Sequence, residues 1–182
     1  MNKDIFDKMV INKLLGASNS GDAINSCGTQ LVGHRPEIAP KAYTHAIFKG
    51  LEEKDINEME LDLGTKFSPM LRNFFKFANG MMIFSGSLRV MGYIPSNSDA
   101  SGVYDYPSNI LTPNVSARVD GLLEGDLVIG WYKKDGSYVV VNREGQVSRY
   151  DVLDSGEEIQ RWVDFDNWLA SEVIELHKNY TY

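Results

Sequence analysis

Few residues in this chain have the types and spacing for covalent chemistry. Cys27 stands in a polar stretch with His34 and His45 downstream, a set that makes a thiol-imidazole nucleophile only if the fold brings thiol and ring together. It is the single cysteine, and the 3 histidines are scattered, so the expected state of Cys27 is a free thiol. A small thiol hydrolase using Cys27 is the third functional reading. The loop Gly16-Ala-Ser-Asn-Ser-Gly-Asp22 imitates a phosphate loop in its small residues, but it lacks the lysine and no hydrophobic strand precedes it. Asp151, Asp154, Glu157 and Glu158 gather carboxylates, yet their spacing does not alternate toward a bidentate glutamate as a calcium loop does. One cysteine also rules out a thiolate zinc site and an intrachain disulfide. The expectation is no catalytic group, no metal and no cofactor.

Binding chemistry needs aromatic anchors mixed with carboxylates, because rings supply buried area while charges orient a partner. Three places offer this. SDASGVYDYPSN carries Asp99, Tyr104, Asp105 and Tyr106. DLVIGWYKKDGSY carries Asp126, Trp131, Tyr132 and Asp135. The segment from Asp151 to Glu158 adds carboxylates. The competing role for each ring is core packing, which weighs more on Trp131 than on Tyr104 and Tyr106 beside Pro107.

The formal net charge of −7 is unevenly placed. Residues 1–100 carry 11 acidic and 11 basic side chains, and residues 101–182 carry 14 and 7. Such a surface repels phosphate backbones and steers a basic protein, so direct nucleic-acid binding is disfavoured. No apolar run approaches the ~18 residues that cross a bilayer, and MNKDIFDKMVINKLLG is broken by charge where a signal peptide needs an apolar segment. A cytoplasmic protein without membrane contact is expected.

The elements that must position these residues are legible in the hydrophobic period. With 182 residues and 43% hydrophobic content, the chain has material for one sizeable core. Ile5, Met9 and Leu14 suggest a short helix in an N-terminal extension over residues 1–50. LEEKDINEMELDL places Leu51, Ile56, Met59 and Leu63 on one helical face, and Gly64 stops it. Ser68-Pro69 caps and opens a second helix with Leu71, Phe74, Phe75 and Ala78 inward, and Gly80 is its expected stop. MMIFS and LRVMGYI then read as a hairpin about a two-residue Gly86-Ser87 turn. Phe74, Phe75 and Phe77 are expected in the helix-sheet core, with Asn79-Gly80 reversing the chain. Residues 95–125 read as a surface excursion with a short helix near 115–119. DLVIGWY, SYVVVN and QVSRYD, joined by KKDG and REG, read as an antiparallel three-stranded meander. Asp164 caps a terminal helix. The plan is α+β: a single domain, a largely antiparallel mixed sheet of hairpin plus meander, and helices packed on it.

The run FSPMLRNFFKFANG resembles the signature of the SUKH superfamily, in which Leu-Pro, a tyrosine, an aromatic-leucine pair and Asn-Gly recur at this spacing. DLVIGWYKKDGSYVVVNREGQVSRYD followed by VDFDNWL resembles the rest of the pattern, and the likeness spans roughly residues 51 to 176. Phe67-Ser68 stands where the family has Leu-Pro, with the proline displaced to Pro69, and Leu71 replaces the tyrosine. The resemblance implies a SUKH-like domain over residues 51–182. It also implies a non-catalytic immunity protein that neutralises a polymorphic toxin domain, often a nuclease, by stoichiometric occlusion. Eukaryotic relatives imply the alternative, an intracellular scaffold of cell-wall-assembly-regulator type.

Overall fold

The computed structural model describes residues 10, 14, 16–95, 98, 102–151 and 156–180. Among these, nine strands form one sheet whose spatial order is the order of the chain. They are β1 (Ala23–Ile24), β2 (Gln30–His34), β3 (Tyr43–Lys49), β4 (Ala78–Ile83), β5 (Leu88–Val90), β6 (Leu127–Tyr132), β7 (Tyr138–Val141), β8 (Val147–Tyr150) and β9 (Glu158–Trp162). Every neighbouring pair is antiparallel, and an isolated parallel bridge joins Gly92 to Asn109. The expected hairpin is β4–β5 and the expected meander is β6–β8. The α+β single-domain plan is what the structure shows. Strands β1 to β3 come from residues 1–50, the segment read as an extension, and they continue the sheet that carries the rest. Most of the helix expected around Ile5 and Met9 lies outside the described residues, but Val10 and Leu14 are described and both are fully buried in the main core.

Helix α1 (Glu53–Leu63) starts where the Glu52 N–H donates to Asp55 Oδ2 at 3.2 Å, and it ends on Gly64 in the left-handed conformation, φ 66°. Ile56 and Met59 turn inward. Helix α2 (Pro69–Phe77) starts as its sequence demands: Ser68 Oγ accepts from the Leu71 N–H at 3.3 Å, and Pro69 takes a position that needs no N–H partner. Leu71, Phe74 and Phe75 are buried, each contributing about 1.5–3 kcal/mol. Phe77, expected with them, is 42% exposed, because it is the last residue before the backbone becomes extended at Ala78 and its ring leaves the inward stripe. Helix α3 (Phe165–Asn179) is capped by Asp164, whose Oδ1 accepts from the Asn167 N–H at 2.8 Å.

Two turn readings are corrected. Asn79-Gly80 is no reversal: α2 ends at Phe77 and the pair lies inside β4. Gly80 has φ 84°, and a Cβ there would stand 2.6 Å from the Val90 carbonyl oxygen, so both backbone shape and the close approach of β5 require glycine. The β4–β5 connection is not a two-residue turn either, since Ile83 pairs with Leu88 and Phe84–Ser87 form the loop. Phe84 and Ser85 take positive φ there, and His45 Nδ1 holds the loop by accepting the Phe84 N–H at 3.2 Å. In the excursion, the short helix is a π-helical turn at Thr112–Ser116, just ahead of the predicted place.

The main core lies between the helices and one sheet face. Phe74 meets Phe165 at 4.7 Å between ring centroids, and Phe165 meets Trp168 at 5.3 Å. A smaller cluster of Leu31, Ala46, Phe48 and Met82 lies on the opposite face, where Tyr43 and Tyr104 pack against it.

Candidate partner-binding surface

Successive residues of a strand point to opposite faces, and β6 separates the two candidate aromatics that sit side by side in sequence. Tyr132 turns toward the helices and is 4% exposed. Its hydroxyl accepts from Trp168 Nε1–H at 3.1 Å, and the Arg149 guanidinium carbon lies 3.8 Å from its ring centroid. Burial removes Tyr132 from the partner-facing set. Trp131 turns the other way and stays half-exposed, with the Arg89 guanidinium carbon 5.5 Å from its ring centroid.

Strand register makes Trp131 one member of a row. Directly opposite partners run Met82–Arg89–Trp131–Tyr138–Tyr150–Glu158 across β4 to β9 on the face away from the helices. Tyr138 and Tyr150 stack with centroids 5.8 Å apart and planes 21° from parallel. Burial, then the neighbouring Tyr150, raises the Tyr138 hydroxyl above its ordinary pKa, so Tyr138 is a neutral hydrogen-bonding ring at neutral pH. Arg89, Tyr138 and Tyr150 join this row without being among the candidates the sequence offers. The one available signal was symmetry: Trp131 and Tyr138 flank the KKDG turn, and Tyr138 and Tyr150 flank the REG turn.

The remaining candidates are dispersed. Tyr104 packs edge-on against Tyr43 at 5.8 Å, and its hydroxyl accepts the Tyr43 N–H at 3.3 Å, so this ring covers the β2–β4 part of the same face. Asp105 Oδ2 accepts the Gly102 N–H at 2.6 Å and its Oδ1 lies 3.5 Å from Asn25 Nδ2. Tyr106 is half-buried beside buried Pro107. Asp99 lies outside the described residues, as does Asp154. Asp126 sits just before β6, ~17 Å along the strand from Trp131 at ~3.3 Å per residue. Asp135 belongs to the helix-side network: its Oδ2 pairs with Arg149 Nη2 at 2.6 Å and its Oδ1 accepts from Ser137 N–H at 3.0 Å. Burial pushes the Asp135 carboxyl up, but the Ser137 hydrogen bonds and Arg149 outweigh it and hold the group below its ordinary range. The aromatic and acidic candidates therefore do not form one patch.

A concavity of about 550 Å³ opens between the α1–α2 connection and the β6–β7 end of the sheet, floored by Phe67, Leu71, Leu127 and Val141. The cations at its rim are already paired, Lys66 with Glu60 at 2.9 Å and Arg143 with Glu124 at 3.1 Å. Both imidazoles considered for Cys27 are engaged elsewhere: His34 Nε2 lies 3.1 Å from the Pro40 carbonyl oxygen, and His45 faces Phe84. Among the described residues, no three His, Cys, Asp or Glu side chains converge as a metal site, and no helix is long and apolar enough to cross a membrane.

No curated protein matches the chain. Over residues 50–171, from the end of β3 into α3, the sequence matches the SMI1 / KNR4 family (SUKH-1), and the chain belongs to that family.

Proposed function

We propose that this protein acts by stoichiometric binding, without turnover, as an immunity protein that occludes a cognate toxin domain. The observation that carries the reading is the half-exposed aromatic row on the sheet face away from the helices, which supplies flat, rigid contact area of the kind that anchors protein interfaces. Family membership supports the same class of activity. The net charge of −7 favours a basic partner, met in the cytoplasm, over nucleic acid. Because Asp105, Asp126 and Asp135 are dispersed, the acidic excess acts as a summed field that steers approach, while the rings hold the complex.

Co-expression with the products of neighbouring genes, scored by cell survival, tests the reading. The expected result is rescue from one toxic neighbour and a 1:1 complex on purification. If no neighbour is toxic and purification recovers a cell-wall regulatory assembly, the scaffold reading replaces this one.

A further inference from the structure

Arg89 is the member of the aromatic row with a buried polar atom left unpaired among the described residues. It is half-buried at the centre of the face, between Met82 and Trp131, and makes no ion pair with any described residue. Its Nε is buried without a hydrogen-bond partner among the described residues. The head group lies over the β4–β5 loop, where a Cβ on Gly86 would stand 3.5 Å from Nε. A buried guanidinium N–H without an acceptor costs free energy, and the Trp131 ring, 5.5 Å away, offers quadrupole attraction but no lone pair. In a protein with a surplus of carboxylates, this cation is kept apart from all of those described.

We infer that the Arg89–Trp131–Tyr138 surface docks a partner segment carrying a carboxylate next to an aromatic side chain. The carboxylate accepts from the Nη atoms of Arg89, since Nε itself is buried out of a partner's reach, and the neighbouring ring lies on Trp131 and Tyr138. The inference rests on the proposed binding role and names the local chemistry of the partner: a toxin that is basic overall presents an acidic-aromatic segment at the contact. Geometry and charge favour a protein over a nucleic acid, since a single carboxylate answers Arg89 while a polyanion also meets the net charge of −7.

The test is a titration of the whole protein, followed by two-dimensional NMR at the Arg89 Nε–H and the Trp131 indole N–H, using blocked peptides with an Asp-Phe, Asn-Phe or Lys-Phe core. The Asp-Phe peptide is expected to shift both signals and to bind about tenfold tighter than Asn-Phe. The preference should vanish in Arg89→Met, which keeps the apolar stem, and weaken in Arg89→Lys, which keeps the charge but not the fork. Unmoved signals, equal binding of the three peptides, or tighter binding of a single-stranded oligonucleotide overturns the inference, and these wild-type titrations do not depend on any variant folding. No toxin is needed, so Asp-Phe binding without a toxic neighbour would sink the immunity reading and leave the docking chemistry standing.

Discussion

The Asn79 carboxamide pairs with the Tyr93 backbone as a strand would: its Nδ2–H donates to the Tyr93 carbonyl at 2.7 Å, and its Oδ1 accepts the Tyr93 N–H at 2.7 Å. Asn114 does the same for β6, donating to the Val128 carbonyl and accepting the Val128 N–H, both at 2.8 Å. Each side chain satisfies a buried backbone where the regular ladder has run out.

Asn79→Ala should therefore leave a buried N–H and a buried C=O of Tyr93 unpaired and cost about 2–4 kcal/mol in urea unfolding. Asn79→Asp, close in shape, keeps the acceptor for the Tyr93 N–H but sets an oxygen against the Tyr93 carbonyl. It should be no better than alanine at neutral pH, and a near-neutral aspartate would show that shape alone matters at this site.

The two phenylalanines of α2 that differ in burial should differ in cost. Phe74→Ala removes a ring packed on Phe75 and Phe165 and should cost about 3–5 kcal/mol, enough to unfold much of a marginal domain. Phe77→Ala should cost less than about 1 kcal/mol. Equal losses in thermal melts would contradict the placement of these rings.

Acid should weaken the fold in two windows. Burial lowers the His45 pKa from 6.5 to about 4, with the His177 charge as a smaller cause. The unfolded chain thus takes up this proton first, and stability falls from about pH 6.5 down to about pH 4, by about 3 kcal/mol in all. A His45→Gln variant should lose most of that slope.

Glu60 sets the lower window. Burial pushes its carboxyl up, but Lys66, the Phe67 N–H and Arg72 outweigh it and hold the pKa below 4.5. Its contribution is fully present above about pH 4.5 and disappears as the pH falls through the folded value. Glu60→Gln should cost about 1–3 kcal/mol at pH 7, because it removes the buried one of the two carboxylates that hold Arg72, leaving Glu53, and weakens the tie to Phe67. Glu172 has the opposite sign: burial raises its pKa despite the Tyr132 hydrogen bond and Arg149, so the ionised form is disfavoured in the fold. Glu172→Gln should be neutral or stabilising at pH 7, and any gain should fade below about pH 4.5, where the carboxyl is protonated folded or unfolded.

For the complex, Asp126→Lys should slow association, and the effect should shrink as salt shortens the Debye length to about 8 Å. Trp131→Ala should mainly speed dissociation. Asp135→Lys should also lower thermal stability, since it meets Arg149 with a like charge.

What the sequence reveals is what a short window can specify. The two helical stripes of α1 and α2, the Ser68 and Asp164 caps and the β6–β8 meander are all set by residues within a turn or a hairpin of one another, and the structure has them where they were expected. Strands β2 and β3 escape notice because QLVGH and YTHAIFK mix apolar residues with Gly33, His34 and His45, and β3 finds its inner partner, β4, only across two helices, while β2 pairs with β1 and β3. Asn79 gives no local sign of its role, since Tyr93 lies far along the chain. The aromatic row is hidden for the same reason, because Arg89 meets Trp131 only after the whole excursion has been spanned.

The order of the sheet has a consequence for how the molecule comes into being. Each strand pairs only with the strands before and after it in the chain, so the ladder can lengthen from one edge while the polypeptide is still leaving the ribosome, with no element held waiting for a central partner. Helix α3 follows all nine strands and is an exception, because Trp168 must travel back to rest over Gly130 and reach the Tyr132 hydroxyl. Docking of α3 is therefore a closing step, in which one helix seals the core over a sheet already laid down.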